Sequence, residues 1–188
     1  MAKPDRALLL TPGASAGRDQ PALVAVEKAL VPVPVERMDF PYRKAGRKSP
    51  DKASVLIEAV REGAADLAKR TRLAPDRLVL GGRSMGGRMC SMAVAEGLPA
   101  LGLALISYPL HPPGKPEKSR TEHLPQLKLP CLFVSGTKDA FGTVEELEVS
   151  TATIPGSVTH VWLDGGDHGL RRRDDEVAAI VRDWVLSL

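Results

Sequence analysis

Short apolar runs alternate with amphipathic segments along the 188-residue chain. The apolar runs predict six β-strands, at Arg6–Thr11, Val31–Arg37, Arg77–Gly82, Gly102–Ser107, Cys131–Ser135 and Val158–Leu163. The amphipathic segments predict helices, at residues 18–30, 51–71, 86–97, 143–151 and 172–187. Strands that alternate with helices and are apolar on both faces are typical of a parallel sheet covered on both sides.

The helix at residues 51–71 is predicted most clearly. Its apolar residues recur every three or four positions and fall on one face: Val55, Leu56, Ala59, Val60, Ala64, Leu67 and Ala68. The segment Ser49-Pro50-Asp51 before them is typical of a helix start.

The strand at Val31–Arg37 contains Pro32 and Pro34, which a central strand accommodates poorly because proline has no N–H to donate. We therefore expect an edge strand, and the strand order 2-1-3-4-5-6 with right-handed crossovers satisfies this. The predicted fold is α/β, a three-layer, doubly wound parallel sheet of about six strands in a single domain over residues 1–188. No long insertion separates the elements, so we expect a minimal fold without a lid.

The run Leu80–Gly87 carries the strongest chemical signal in the chain. It contains Gly82-x-Ser84-x-Gly86 between a predicted strand and a predicted helix, which is the pattern of a nucleophile elbow. The serine of such an elbow lies on a sharp, strained turn. The flanking glycines remove clashes there because glycine has no Cβ. The pattern indicates a serine hydrolase.

Two further reactive side chains follow later strands, whose carboxyl ends form the ligand site in sheets of this kind. Asp139 follows the fifth strand and His168 follows the sixth, so the chain order is Ser, Asp, His, as in α/β-hydrolases. His168 would accept the proton of Ser84, and Asp139 would orient the imidazole. Asp164 and Asp167 are alternatives for the acid, although Asp167 is interpreted as a turn former with a local side-chain hydrogen bond.

Two backbone N–H groups are predicted to form an oxyanion hole. Met85 directly follows the nucleophile at the start of a helix. The second group lies in the turn Thr11–Gly17 after the first strand, where Ala14 is preferred. The other histidines are interpreted as structural or solvated: His111, His123 and His160.

Three segments carry a resemblance to a known family: Gly81–Arg88, Tyr108–Lys115 and Phe133–Gly142. There the chain resembles the small α/β-hydrolase-like family named after a testis-expressed protein and a subunit of the NSL histone-acetyltransferase complex. That family is related to dienelactone-hydrolase-like enzymes, and the resemblance implies a lidless hydrolase fold with no defined substrate. Two positions depart from the family's pattern. Pro12 replaces the usual histidine before the oxyanion-hole glycine, and Ala140 replaces a proline after the acid.

Composition narrows the class of protein further. A net charge of +3 and an aromatic content of 4% argue against nucleic-acid binding. No apolar run approaches the roughly 20 residues of a membrane helix, and no signal peptide is recognised. Cys90 and Cys131 form no metal or redox motif. We therefore expect reduced, buried thiols in a cytoplasmic protein, with no membrane partner, metal or cofactor.

Positive charge is concentrated on two loops. Residues 39–52 hold five Lys and Arg against two Asp, and residues 107–128 hold four against two Glu. If both loops border the site, their field favours an anionic substrate, whereas the alternative is that they are simply solvated. Arg83 and Arg88 flank the nucleophile and are interpreted as bracing neighbouring loops rather than contacting substrate.

These patterns favour a serine hydrolase acting on an ester, thioester or related acyl bond of a small soluble substrate. One alternative is a non-catalytic binding or scaffold protein with the same fold, against which the intact Ser84, Asp139 and His168 argue. Acyl transfer to an acceptor other than water is a further alternative that uses the same residues. The oligomeric state stays open, although the prolines of the edge strand argue against sheet extension there.

Overall fold

The computed structural model describes residues 4–188, which form one parallel sheet of six strands. The strands are β1 (Ala7–Thr11), β2 (Val35–Arg37), β3 (Leu78–Arg83), β4 (Gly102–Ile106), β5 (Cys131–Gly136) and β6 (Val158–Leu163). Their order is β2-β1-β3-β4-β5-β6, and every neighbouring pair is parallel. The predicted strand order is confirmed.

Helices cover both faces of the sheet. They are α1 (Pro21–Ala29), α2 (Pro41–Lys44), α3 (Ala53–Thr71), α4 (Met85–Ala95), α5 (Val144–Thr151) and α6 (Asp174–Ser187). Helix α1 packs against α6 on one face, and α3 packs against α4 on the other. The predicted three-layer arrangement is therefore confirmed. Helix α2 was not predicted, because its four residues are too few to display a helical period.

Several predicted boundaries are wrong by one to four residues; α1, for example, begins at Pro21 rather than at residue 18. The starts of β2 and α3 show the local reasons. Strand β2 is at the edge as predicted, but it begins only at Val35 rather than at Val31. Pro34 has no N–H to donate and joins the ladder only through its carbonyl oxygen, which accepts from the Leu8 N–H at 2.9 Å, so residue pairing with β1 begins at Val35. Helix α3 begins at Ala53 after Lys52, and the preceding Ser49-Pro50-Asp51 segment provides no side-chain cap.

The central strands form the core between the helical layers. Every residue of β1, β4 and β5 is buried, as is β3 up to Gly82. Cys90 on α4 and Cys131 on β5 are free and buried, as predicted, and burial raises the pKa of each thiol to about 12. No helix within residues 4–188 combines the length and apolar character needed to cross a membrane.

The connection between β4 and β5, residues 107–130, is the segment that matters most for the site. It contains two short 3₁₀ turns, Pro116–Lys118 and Leu124–Gln126, and no α-helix. Like the other connections in the described range, it does not form a lid domain. No lid domain of the described range therefore covers the carboxyl ends of the strands where β3 is followed by α4.

Candidate active site

Ser84 lies on the turn between β3 and α4 in a strained backbone conformation. Its φ of 50° and ψ of −120° are sparsely populated for residues other than glycine. The turn is held on both sides: the Ser84 N–H donates to the Ile106 carbonyl at 2.8 Å, and the Ser84 carbonyl accepts from the Arg88 N–H at 3.1 Å. These two hydrogen bonds hold the strained backbone of Ser84 in place, as the elbow pattern predicts.

The glycines around Ser84 are required by the close approach of β1. A Cβ on Gly86 would lie 2.5 Å from Thr11 Oγ1, and one on Gly82 would overlap the same hydroxyl and the Thr11 carbonyl oxygen. Thr11 is itself fully buried and donates through Oγ1 to the Gly81 carbonyl at 2.9 Å. The predicted reason for the glycines, avoidance of clashes, is confirmed, and β1 is identified as the element they would strike.

The structure brings Ser84, His168 and Asp139 into one hydrogen-bonded series. Ser84 Oγ lies 2.8 Å from His168 Nε2. On the other side of the ring, His168 Nδ1 lies 2.8 Å from Asp139 Oδ2 and 3.0 Å from Oδ1. With Nδ1 protonated toward the carboxylate, Nε2 is left as an acceptor for the serine hydroxyl. This is the arrangement that the loop positions predict.

Asp139 is held by its own turn. Its side chain is only 2% exposed, and Oδ1 accepts a second hydrogen bond from the Phe141 N–H at 2.8 Å. The Phe141 ring stacks on the His168 imidazole, with centroids 3.9 Å apart. Phe141 therefore restrains both the acid and the histidine. Nothing in its spacing identified it beforehand, because the contact is made across two loops.

The two alternative acids are directed elsewhere. Asp164 accepts a hydrogen bond from Thr137 Oγ1 at 3.2 Å. Asp167 lies in the turn as predicted, but its backbone carbonyl, not its side chain, accepts the local hydrogen bond, from the Leu170 N–H at 3.1 Å. In the described part of the chain, neither carboxylate is hydrogen-bonded to His168.

Arg83 braces the histidine loop. Its guanidinium donates to the His168 carbonyl oxygen, which confirms the bracing role interpreted from the sequence. Burial lowers the pKa of Arg83, while the negative charges of Asp174, Asp139 and Asp167 oppose that shift. Among the described residues none of these carboxylates forms an ion pair with Arg83 within 4.0 Å, and Arg83 Nε is buried without a hydrogen-bond partner.

The predicted oxyanion-hole residues both line the cavity into which Ser84 opens. Met85 is the first residue of α4, so its N–H has no acceptor within the helix. The peptide of Ala14 is restrained by Tyr42, whose hydroxyl donates to the Ala14 carbonyl at 2.8 Å. The preceding N–H, of Gly13, is already donated to Gln20 Oε1 at 3.1 Å. Their role as oxyanion donors stays a prediction.

The cavity has a volume of about 620 Å³, a size typical of small-molecule sites. One part of its lining is apolar: Ala53, Leu56, Met85, Met89, Pro109 and Phe141. The lining also contains four charged side chains, three arginines and one aspartate: Arg83, Arg88, Arg120 and Asp51.

The two basic loops both reach this cavity, but most of their cations do not. Residues 39–52 contribute Pro50 and Asp51 to the lining, and residues 107–128 contribute Pro109 and Arg120. The positive charge at the cavity comes chiefly from residues beside the nucleophile. Arg88 lines it without a side-chain partner in the described residues, so the bracing role interpreted for Arg88 is not seen.

The other three histidines have structural partners, as interpreted. His111 bonds to Glu146 and the Pro112 carbonyl, His123 to Ser91, and His160 to Thr151. Burial and the positive charge of Arg88 lower the pKa of His123 to about 4.

His111 is expected to make the stability of the fold pH-dependent. Its hydrogen bond to the Pro112 carbonyl, with a further contribution from Glu146, raises its pKa above the ordinary 6.5. A raised pKa means that the protonated form is stabilised by folding. This contribution is present below about pH 6.5 and is lost as the pH rises through the folded-state pKa.

The measurement is urea unfolding of the wild type and His111→Gln at about pH 5.5 and about pH 8.5. The wild type should lose more free energy of unfolding than the variant as the pH rises. An equal loss in the two proteins would contradict the assignment to His111.

Comparison with solved structures shows the same fold at low sequence identity. An alpha-beta serine hydrolase homologue from Coxiella burnetii is 15% identical, with a TM-score of 0.78 over 96% of this chain and 85% of that one. Dienelactone hydrolase from Anabaena variabilis is 16% identical, with a TM-score of 0.76 over 97% and 86%. Est1E from Butyrivibrio proteoclasticus is also 16% identical, with a TM-score of 0.76 over 99% and 89%.

A family model provides the sequence-level match. The model described as "Alpha/beta hydrolase domain" matches residues 4–181, nearly the whole chain. The match spans the elbow at Ser84 and the loops that carry Asp139 and His168. The parallel sheet, its strand order and the absence of a lid in the described residues agree with a minimal form of this fold. The chain therefore belongs to the alpha/beta hydrolase domain family.

Proposed function

We propose that this protein is a serine hydrolase that cleaves an ester, thioester or related acyl bond of a small substrate. The observation that carries the proposal is the hydrogen-bonded series Ser84–His168–Asp139 at the wall of an open cavity. A strained elbow holds the serine, and a nearly buried carboxylate orients the histidine. These are the features that an activated nucleophile requires.

In the first half of the reaction, Ser84 Oγ attacks the acyl carbon while its proton passes to His168 Nε2. The imidazolium is stabilised by the Asp139 carboxylate, which itself stays ionised. Negative charge develops on the former carbonyl oxygen, where the N–H groups of Met85 and Ala14 are proposed to bind it. Collapse of this intermediate breaks the bond to the leaving group, which takes the proton from His168.

In the second half, a water molecule replaces the leaving group. His168 accepts a proton from the water as its oxygen attacks the acyl-serine carbon, and the same proton returns to Ser84 Oγ when the ester bond breaks. The side chains of this chain thus supply nucleophile, base and acid, so the proposed reaction uses no metal or cofactor. Attack by another acceptor in place of water would give acyl transfer.

The substrate class follows from the shape and lining of the cavity. A volume of about 620 Å³ suits a small molecule, and Leu56 and Met89 offer an apolar wall for its carbon chain. The structural neighbours named as a serine hydrolase homologue and a dienelactone hydrolase support acyl-bond cleavage. The resemblance to the testis-expressed and NSL-subunit hydrolase-like group is part of this proposal.

Labelling with a fluorophosphonate tests the proposal directly. Attack by an activated serine forms an O–P bond and expels fluoride, so the wild type should become covalently labelled. Ser84→Ala should not be labelled, because it lacks the attacking oxygen. Ser54→Ala is the matched control, since Ser54 is exposed in the first turn of α3 and lies outside the site. It should be labelled as fast as the wild type.

A folded wild-type protein that resists the probe would contradict the proposal and favour the non-catalytic alternative. Equal labelling of Ser84→Ala and the wild type would contradict the assignment of the nucleophile. Mass spectrometry of the labelled peptide distinguishes these outcomes, because the adduct mass must lie on the peptide that contains Ser84.

A further inference from the structure

Two arginines are fixed at the cavity by their backbones. Arg88 lies on α4, and its N–H donates to the Ser84 carbonyl, so it follows the nucleophile by one helical turn. Arg120 lies in the β4–β5 connection, where its N–H donates to the Leu110 carbonyl at 2.9 Å. Its own carbonyl accepts from the Tyr108 hydroxyl at 2.9 Å. Both side chains line the same cavity.

These two guanidinium groups lack a compensating carboxylate. Within residues 4–188, no Asp or Glu oxygen lies within 4.0 Å of either group, and Arg88 Nε is buried without a hydrogen-bond partner. Both groups line one cavity, where burial and the positive charge of Arg88 lower the pKa of Arg120. Like charges that share a partly desolvated site favour binding of an anion.

No other charged side chain of the cavity forms an ion pair with Arg88 or Arg120 among the described residues. Asp51 also lines the cavity, but Arg47 holds its Oδ1 at 2.7 Å. Arg83 donates to the His168 carbonyl oxygen, which commits its guanidinium group to the histidine loop, and the negative charges of Asp174, Asp139 and Asp167 oppose the lowering of its pKa. Arg88 Nε has no hydrogen-bond partner among the described residues, and the Arg120 guanidinium makes only a long hydrogen bond of 3.5 Å to the Pro109 carbonyl oxygen, so these two cations are the more available to a bound molecule.

We infer that Arg88 and Arg120 together bind a carboxylate or phosphate group of the substrate. The inference rests on the proposed function, which it deepens by naming the substrate class. Arg88 is four positions after Ser84, a rise of about 6 Å along a helix. The substrate is thus a short ester or thioester with an anionic group a few bonds from the scissile carbonyl. The paired forks of two arginines suit the planar oxygens of a carboxylate.

Matched esters test the inference kinetically. The 4-nitrophenyl monoester of glutaric acid carries a terminal carboxylate, whereas 4-nitrophenyl pentanoate has the same chain length without it. A second pair, 4-carboxyphenyl acetate and phenyl acetate, places the charge on the leaving group. In at least one pair, the wild type should favour the charged ester by about 10-fold in kcat/KM.

Substitutions assign that preference to the two arginines. Arg88→Gln and Arg120→Gln should each lower kcat/KM for the charged ester about 10-fold more than for the neutral ester, mainly through KM. Lys118→Gln is the matched control, because it removes one positive charge from the same connection at an exposed position outside the cavity. It should keep the wild-type preference. Arg88→Lys, which keeps the charge but not the planar fork, replaces Arg88→Gln if that variant does not fold.

A binding measurement separates this inference from the proposed function. Calorimetric titration with glutarate, or with inorganic phosphate, should detect binding to the wild type and a loss of about 10-fold in affinity in Arg88→Gln. Hydrolysis of the neutral esters without any charge preference, and without glutarate or phosphate binding, would overturn the inference and leave the proposed function standing. Anion binding that depends on both arginines, without hydrolysis or labelling, would support the anion site while the proposed function failed.

Discussion

Replacing His168 by alanine is expected to lower kcat for ester hydrolysis by about 10⁴-fold or more. Without an acceptor 2.8 Å from Ser84 Oγ, the hydroxyl keeps its proton and remains a poor nucleophile. Asp139→Asn should cost a comparable factor, because an amide cannot hold the imidazole in the required tautomer. Steady-state and single-turnover kinetics on a neutral ester measure both effects.

His160→Gln is the matched control for His168→Ala. His160 belongs to β6, the strand that precedes the histidine loop, and its Nε2 contacts Thr151 rather than any site residue. This variant should retain activity. The double variant Ser84→Ala/His168→Ala should be no slower than either single variant, because the two side chains act as one unit. If the losses in kcat were additive, or if His168→Ala kept near wild-type turnover, the proposal that Ser84 and His168 act as one unit would be contradicted.

Gly82→Ala is expected to destabilise the protein by at least about 3 kcal/mol and to abolish activity. The new Cβ would overlap Thr11 Oγ1 and the Thr11 carbonyl oxygen. Thr11 is fully buried, and its hydroxyl donates a hydrogen bond to the Gly81 carbonyl, so neither Thr11 oxygen can move away without a loss of packing or hydrogen bonding. Relief of the clash requires β1 and β3 to separate, which would displace the elbow.

Gly97→Ala provides the comparison. Gly97 follows α4 with a φ of 95°, and a Cβ there would meet no atom within 4 Å among the described residues. Its cost is therefore limited to backbone strain, about 1 kcal/mol. Urea unfolding of both variants measures the difference. A Gly82→Ala protein as stable as Gly97→Ala would contradict the assigned role of β1 in forming the elbow.

The strand order could be predicted because it depends on local patterns. Apolar runs and helical periods are properties of neighbouring residues, and the prolines before Val35 are incompatible with a central strand. Boundaries were less accurate. Helix α2 is too short to display a period, and α3 begins two residues later than its apparent start signal.

The site was predicted in part for a related reason. Ser84 has a local signature because the elbow requires small residues at fixed offsets. Asp139 and His168 could be located because parallel strands bring their carboxyl ends to one edge. The stacking of Phe141 on His168 and the hydrogen bond from the Gly13 N–H to Gln20 could not be predicted, because such contacts depend on the conformations and relative positions of the loops.

By itself, the sequence determined the layered α/β fold, the order of its strands and the residue at the elbow, because periodicity and steric demand act over a few neighbouring positions. Only the tertiary structure decided which cations reach the cavity. Most of the basic residues in the two charged loops lie outside it, while Arg88 and Arg120 come together from a helix and a distant connection. The charged residues of a sequence can be counted, but which of their side chains reach a cavity depends on contacts between segments that are far apart in the chain.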